Sequence, residues 1–153
     1  MTAPNLHHPT SESVAVAWLK TWFPVGVATT LPKPGTWSVL SGDIQGFGTV
    51  AIVGGRIAAG FGRMPVVSLG TWAAVPGSDR PQWNASNQLA EKIVRVCLTP
   101  TFAPVFVRQS AGYERALVHG VRLVSEPRRI PDPDASTAHY ETEFVLVWTA
   151  EPD

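Results

Sequence analysis

The chain is poor in cysteine and poor in charge. Its single cysteine, Cys97, excludes an internal disulfide and any cysteine-cluster metal site. Charged residues make up 16% of the 153 positions, well under the roughly 25% of an ordinary globular chain. The 12 Lys and Arg balance 12 Asp and Glu, so no bulk positive field exists to draw in nucleic acid. Long apolar runs are missing as well. Val14 to Leu19 is among the longest, whereas a membrane-spanning helix needs about 20 apolar residues, and no membrane contact is expected. Met1 to Pro9 carries no Lys or Arg and no apolar centre, so no secretory leader is expected there. Neither a G-x-S-x-G nucleophile elbow nor a glycine-rich phosphate loop ending in Lys occurs.

What is present points to a sheet. Gly and Pro number 13 and 14, a turn-rich composition, and a chain of this length buries roughly 70% of its unfolded surface around one core. Residues 1–9 read as a flexible N-terminal arm and residues 10–153 as one domain. A first helix starts after a Thr10 or Ser11 cap, with Glu12 in its first turn, and Phe23-Pro24 stops it. Its apolar stripe is expected at Val14, Ala17, Trp18 and Trp22. Val25 to Leu31 reads as a short β segment, Thr36 to Leu40 as a brief edge strand and Ser41 to Gly46 as loop. Gly48 to Val53 and Pro65 to Trp72 read as partners in a long hairpin, with the glycine-rich run Gly54 to Gly62 as its tip.

A second helix is expected from Trp83 or Asn84 to Leu98. Asn84 would cap it, Ala85, Leu89, Ile93, Val96 and Cys97 would face inward, and Glu91 would pair with Arg95 outside. Phe102 to Val107, broken by Pro104, suits a sheet edge. Ala116 to Val124 reads as a strand and Pro127 to Pro133 as a rigid turn. In the last strand Tyr140, Thr142, Phe144, Leu146 and Trp148 alternate with Glu141, Glu143, Val145, Val147 and Thr149. Its second half is apolar on both faces, which requires a central place in the sheet or cover from a neighbouring subunit. The expected class is α+β: a mainly antiparallel sheet with two helices packed on one face and a long glycine-rich hairpin.

Few residues invite chemistry. Gly46, Gly48 and Ala51 fit a loose dinucleotide pattern, but they open a β-rich run instead of a helix. His7 and His8 lie in the arm, where adjacent histidines are usually solvated. Asp132 and Asp134 flank Pro133 without a recognisable third oxygen ligand. Cys97 falls on a helix stripe, where a thiol acts as a small hydrophobe. His119 and His139 lie on the closing strands, and His139 with Glu141 could make an acid–base pair, which leaves a small enzyme or ligand-binding domain as one reading. No catalytic residue, metal or cofactor is expected.

Arginine outnumbers lysine nine to three, and arginine is the cation favoured at protein interfaces. The expected contact residues are Arg56, Ile57, Phe61 and Arg63 at the hairpin end and Arg128 and Arg129 in the proline-rich loop; Arg122 is a further arginine of the closing strands. Several segments, in order, are similar to one family. They are the first helix, Val25 to Pro32 (VGVATTLP), a strand ending Gly54-Gly55-Arg56, and Pro65 to Ala73 (PVVSLGTWA). Asn87 to Ala90 (NQLA), Pro131 to Asp134 (PDPD) and the aromatic-led strand from Tyr140 complete the series. The chain resembles the tail terminator proteins of long-tailed bacteriophages, especially those of actinobacterial hosts. It departs from the family pattern between Lys33 and Gly46, where it is longer.

The resemblance implies a non-enzymatic virion protein at the tail–neck junction, assembled in the host cytoplasm. It implies a hexameric ring of identical subunits that caps the tail tube, ends its polymerisation and offers a surface for joining the head. The implied partners are further copies of the chain, the major tail tube protein and a head-completion or neck protein, with DNA crossing the lumen without specific binding. A head-completion or stopper subunit is the neighbouring alternative.

Overall fold

The structure is a computed structural model that describes residues 9–58, 62–99, 105–107, 115–131 and 136–151. Two helices, α1 (Ser11–Trp22) and α2 (Trp83–Leu98), accompany eight strands. These are β1 (Val27–Ala28), β2 (Ser38–Ser41), β3 (Ile44–Ala58), β4 (Gly62–Ala74), β5 (Val105–Val107), β6 (Arg115–Leu123), β7 (Arg128–Arg129) and β8 (Ala138–Glu151). They form one sheet in the order β1-β3-β4-β8-β6-β5, with β2 added to β3 and β7 to β8. Among the described residues β1 against β3 is the one parallel pair; the rest are antiparallel. The fold is α+β with both helices on the sheet, and the β3–β4 hairpin is its longest unit.

Thr10 opens α1 through a capping box. Its hydroxyl accepts from the Ser13 N–H at 3.1 Å, and the Ser13 hydroxyl accepts from the Thr10 N–H at 3.0 Å. Phe23 closes the helix in an extended conformation ahead of Pro24. The buried stripe is Val14, Ala15, Trp18 and Leu19, rotated from the expected one. Trp22 is 42% exposed, because the core lies against the i, i+1, i+4, i+5 side of this short helix. The Trp148 indole N–H donates to Ser11 Oγ at 3.0 Å, which ties the start of α1 to the far end of β8.

The α2 cap also differs from expectation. Gln82, not Asn84, stands at the N-cap and makes no side-chain cap bond. The helix is held by packing instead: Ser86, Leu89, Ala90, Ile93 and Val94 are buried. Ser86 Oγ donates to Thr71 O at 2.7 Å and Thr71 Oγ1 donates to Ser86 O at 3.2 Å. This reciprocal pair satisfies two buried hydroxyls and fixes α2 over β4. Cys97 packs at the margin of the core.

One face of the sheet meets the helices. Val50, Val67, Leu69, Val118, Phe144, Leu146 and Trp148 enclose a single core with Trp18, Leu19, Leu89 and Ile93, and the Trp18 and Phe144 rings meet at 5.6 Å. The other face mixes small and polar residues such as Ser68, Gly70 and Glu143 with apolar ones such as Val66, Trp72 and Val145, and has a minor cluster of Trp37, Phe47 and Ala74 at one end. β8 lies between β4 and β6, so its apolar second half is central.

Three local expectations are corrected. Ser41 to Gly46 is not loop: β3 begins at Ile44 after a tight turn at Gly42-Asp43. The run Gly54 to Ile57 is not the hairpin tip but strand, because β3 absorbs one extra residue as a bulge between Ile52 and Gly54 and then stays paired with β4 to Ala58. Gly55 permits this with φ +126°, where a Cβ would collide with Met64 O and Pro65 Cα. Within the proline-rich loop, Arg128 and Arg129 pair with β8 as β7, since the prolines flank them and leave both N–H groups in place.

Candidate assembly surface

The expected contact residues fall on two opposite margins of the sheet. Arg56 and Ile57 sit near the end of β3, Arg56 opposite Met64 and Ile57 opposite Arg63. Ile57 is 76% exposed and the bulge residue Val53 54%, high values for branched aliphatic side chains. Between this strand end and Ser11 lies a shallow depression of about 210 Å³ walled by Gly55, Arg56, Ile57 and Arg63. Arg63 lies over the Trp148 ring at 5.4 Å. Arg56 makes no hydrogen bond, ion pair or ring contact with a described residue.

Arg128 and Arg129 sit on β7, which pairs with β8 past the end of β6 on the other margin, and both are tied down. Arg128 pairs with Glu141 at 3.3 Å. Arg129 stacks over the Trp83 ring at 4.2 Å and approaches Tyr140 at 6.0 Å, and its Nε donates to the Tyr140 hydroxyl at 3.4 Å. Trp83 and Tyr140 themselves meet edge to face at 6.0 Å. Arg122 is exposed on β6. Phe61, Asp132 and Asp134, like His7 and His8, lie outside the described residues.

The two histidines are not brought together. His119 bonds Thr149 Oγ1 at 2.8 Å, whereas His139 lies opposite Trp72 near the start of β8. At about 3.3 Å per residue, roughly 30 Å of strand separates Thr149 from His139. His139 does meet Glu141, at 3.7 Å, and its ring stacks on Trp72 with centroids 3.7 Å apart and planes within 11°. Gly70 makes room for that stack: a Cβ there would strike Thr49 Oγ1 and come within 3.0 Å of both His139 Nε2 and Trp72 Nε1. Trp72 Nε1 donates to Thr49 Oγ1 at 2.9 Å. Glu141 thus bridges His139 and Arg128, and the His139 side chain is only 13% exposed. His139 is thus held between the Trp72 ring and the Glu141 carboxylate on the face away from the helices.

No protein-family model matches the chain, and no curated protein does. The site therefore rests on its own geometry. Burial pushes the Cys97 thiol up to about 12, which disfavours the thiolate. Among the described residues no three His, Cys, Asp or Glu side chains gather where a metal ion could be held.

Two features escaped the sequence reading. The Trp83–Arg129–Tyr140 cluster joins the start of α2 to β7 and β8, and nothing in local spacing links residues so far apart. The open outer edge of β3 was hidden because its glycines suggested a tip. The run Ile-Val-Gly-Gly-Arg-Ile, with isoleucine on either side of the glycines, was the available signal for a strand carrying a bulge.

Proposed function

We propose that the chain is a structural virion protein of the tail terminator type, which forms a ring, expected to be hexameric, on the end of a phage tail tube. The observation that carries this reading is the placement of two different exposed margins on opposite sides of one sheet. The hairpin margin bears Val53, Arg56 and Ile57, and the β6–β7 margin bears Arg122, Arg128 and Arg129. A ring of identical subunits needs such a pair of unlike patches, because each contact joins the front of one copy to the back of the next. The low charge of the chain fits a surface covered by neighbours. The resemblance of its ordered segments to tail terminators supplies the rest.

On this reading one ring face repeats the contacts of an incoming tube subunit and the other lacks the surface that would add the next. Tube growth stops for steric reasons, and the exposed ring face receives the head-side neck protein. DNA crosses a lumen that does not hold it. The work is done by shape and affinity, without catalytic turnover.

The test is solution mass and electron microscopy of the protein alone and mixed with tail tubes, beside particles from phage lacking the gene. Rings at tube ends and tails of abnormal length in the deletion are expected. Tailless filled heads beside normal-length tails would assign the protein to the head-side joint instead. A monomer that never binds tubes would overturn the ring reading.

A further inference from the structure

The two margins differ in form as well as position. At the hairpin margin the depression of about 210 Å³ is walled partly by bare backbone, at Gly54 and Gly55, with Ile57 and Arg63 beside it. An apolar cavity of about 150 Å³ holds a benzene ring, so this recess has room for an aliphatic side chain. Arg56 and Arg63 are its cations, and neither is paired with a carboxylate of a described residue.

The β6–β7 margin projects instead. Leu123 stands opposite Phe144 and Arg128 opposite Glu141, so the four residues from Val124 to Pro127 fill a span that β8 crosses with two, Thr142 and Glu143. The Val124 and Ser125 N–H groups both donate to Glu143 O, at 2.9 and 3.3 Å, and the surplus chain loops out. Val124, Ser125 and Glu126 are exposed, and Pro127 limits the backbone freedom of the return. Glu141 is engaged by Arg128 and His139, whereas Glu126 has no hydrogen bond or ion pair with a described residue. Six large hydrophobic side chains are exposed among the described residues, and three of them, Val53, Ile57 and Val124, lie on these two margins.

A sheet that continues from copy to copy is obstructed, because β1 and β2 line the outer side of β3 up to Thr49 and β5 lines β6 up to Val118. What the margins offer instead is a projecting valine and acid on one, and a recess with an isoleucine and unpaired arginines on the other. We infer that the bend from Val124 to Pro127 of one copy seats in the recess at the β3 end of a second copy, with Val124 against Ile57 and the Glu126 carboxylate received by the Arg56 guanidinium. This rests on the ring reading and specifies the contact that would build it. Guanidinium and carboxylate meet through two parallel hydrogen bonds, and the apolar pair beside them excludes water. The charges also set the orientation. Two hairpin margins brought together would place Arg56 against Arg56, and two bends would place Glu126 against Glu126, so the front-to-back contact is the complementary one. Contacts of that kind close into rings.

The test is a charge exchange in the full chain. Arg56→Glu and Glu126→Arg are made singly and together, with Lys92→Glu on the exposed side of α2 as a control for net charge. All three positions are exposed, and thermal unfolding checks that each variant folds. Self-association, measured by sedimentation, is expected to weaken about tenfold or more in each single reversal. It is expected to recover most of that loss in the double variant and to be unchanged in Lys92→Glu. Rings that form equally well with either single reversal, a double variant no better than the singles, or an equal loss in Lys92→Glu would each overturn this contact and leave the ring reading standing. A chain that never self-associates, alone or with tubes, would overturn both.

Discussion

β3 and β8 are the two longest strands of the molecule, and similar side chains meet opposite fates in them. β8 is flanked by β4 and β6, and its Phe144, Leu146 and Trp148 are buried under the helices. β3 is anchored through its first half, where Val50 reaches the core, and bare through its second, where Val53 and Ile57 face outward. Apolar residues in the first setting stabilise the fold. In the second, Val53 and Ile57 contribute little to the stability of the isolated chain. The molecule thus divides into a part that folds it and an exposed part that the proposed ring would use.

The comparison breaks most sharply at Phe144. It is fully buried, touches Trp18 and lies at the centre of the main core. Phe144→Ala is expected to cost about 3–5 kcal/mol, read as a large drop in the denaturant midpoint. Assembly would be lost with the fold, so this variant marks what damage to the folding part looks like. A midpoint within experimental error of wild type would mean that β8 is not the core strand described.

Gly70 lies on β4, between the two long strands, and sharpens the contrast on the open face. Gly70→Ala places a methyl where Thr49, His139 and Trp72 converge. The Trp72–His139 stack must spread, at a cost of about 1–3 kcal/mol for overpacking. Trp72 is expected to change its fluorescence in the folded protein. An unchanged spectrum and unchanged stability would show that the stack does not brace this face.

How much of this was legible depended on how local the determinants are. The alternation from Tyr140 to Thr149 made β8 readable, because a period of two survives any arrangement of neighbours. The Thr10 cap and the Phe23-Pro24 stop were equally local. The α1 stripe was not, because Val14, Ala15, Ala17, Trp18, Leu19 and Trp22 leave several faces apolar, and the sheet decides which one is buried. Gly54-Gly55 was misread for a related reason: glycine serves both a tip and a bulge, and the register against Val66 and Pro65 distinguishes them. Arg128-Arg129 became strand through pairing with Glu141 and Tyr140, a contact that turn composition cannot announce. Of the residues named for contact, Arg56, Ile57, Arg63, Arg128 and Arg129 are exposed. Their positions on opposite sides of one sheet were not visible before the strand order was known.

The smallest effects come from the arginines, and they separate the two margins. Arg129 is held over Trp83, and Arg129→Ala is expected to cost about 0.5–1 kcal/mol through the lost cation–π contact. Arg56 touches no described partner, so Arg56→Ala is expected to leave thermal stability within about 0.5 kcal/mol of wild type. Because Arg56 lies on the open half of β3, its loss should appear instead as weaker self-association, measured by sedimentation at several concentrations. A surface that existed only for the fold would show the reverse, with the midpoint shifting and the association constant fixed. Arg56→Ala with neither quantity altered would remove this side chain from the contact.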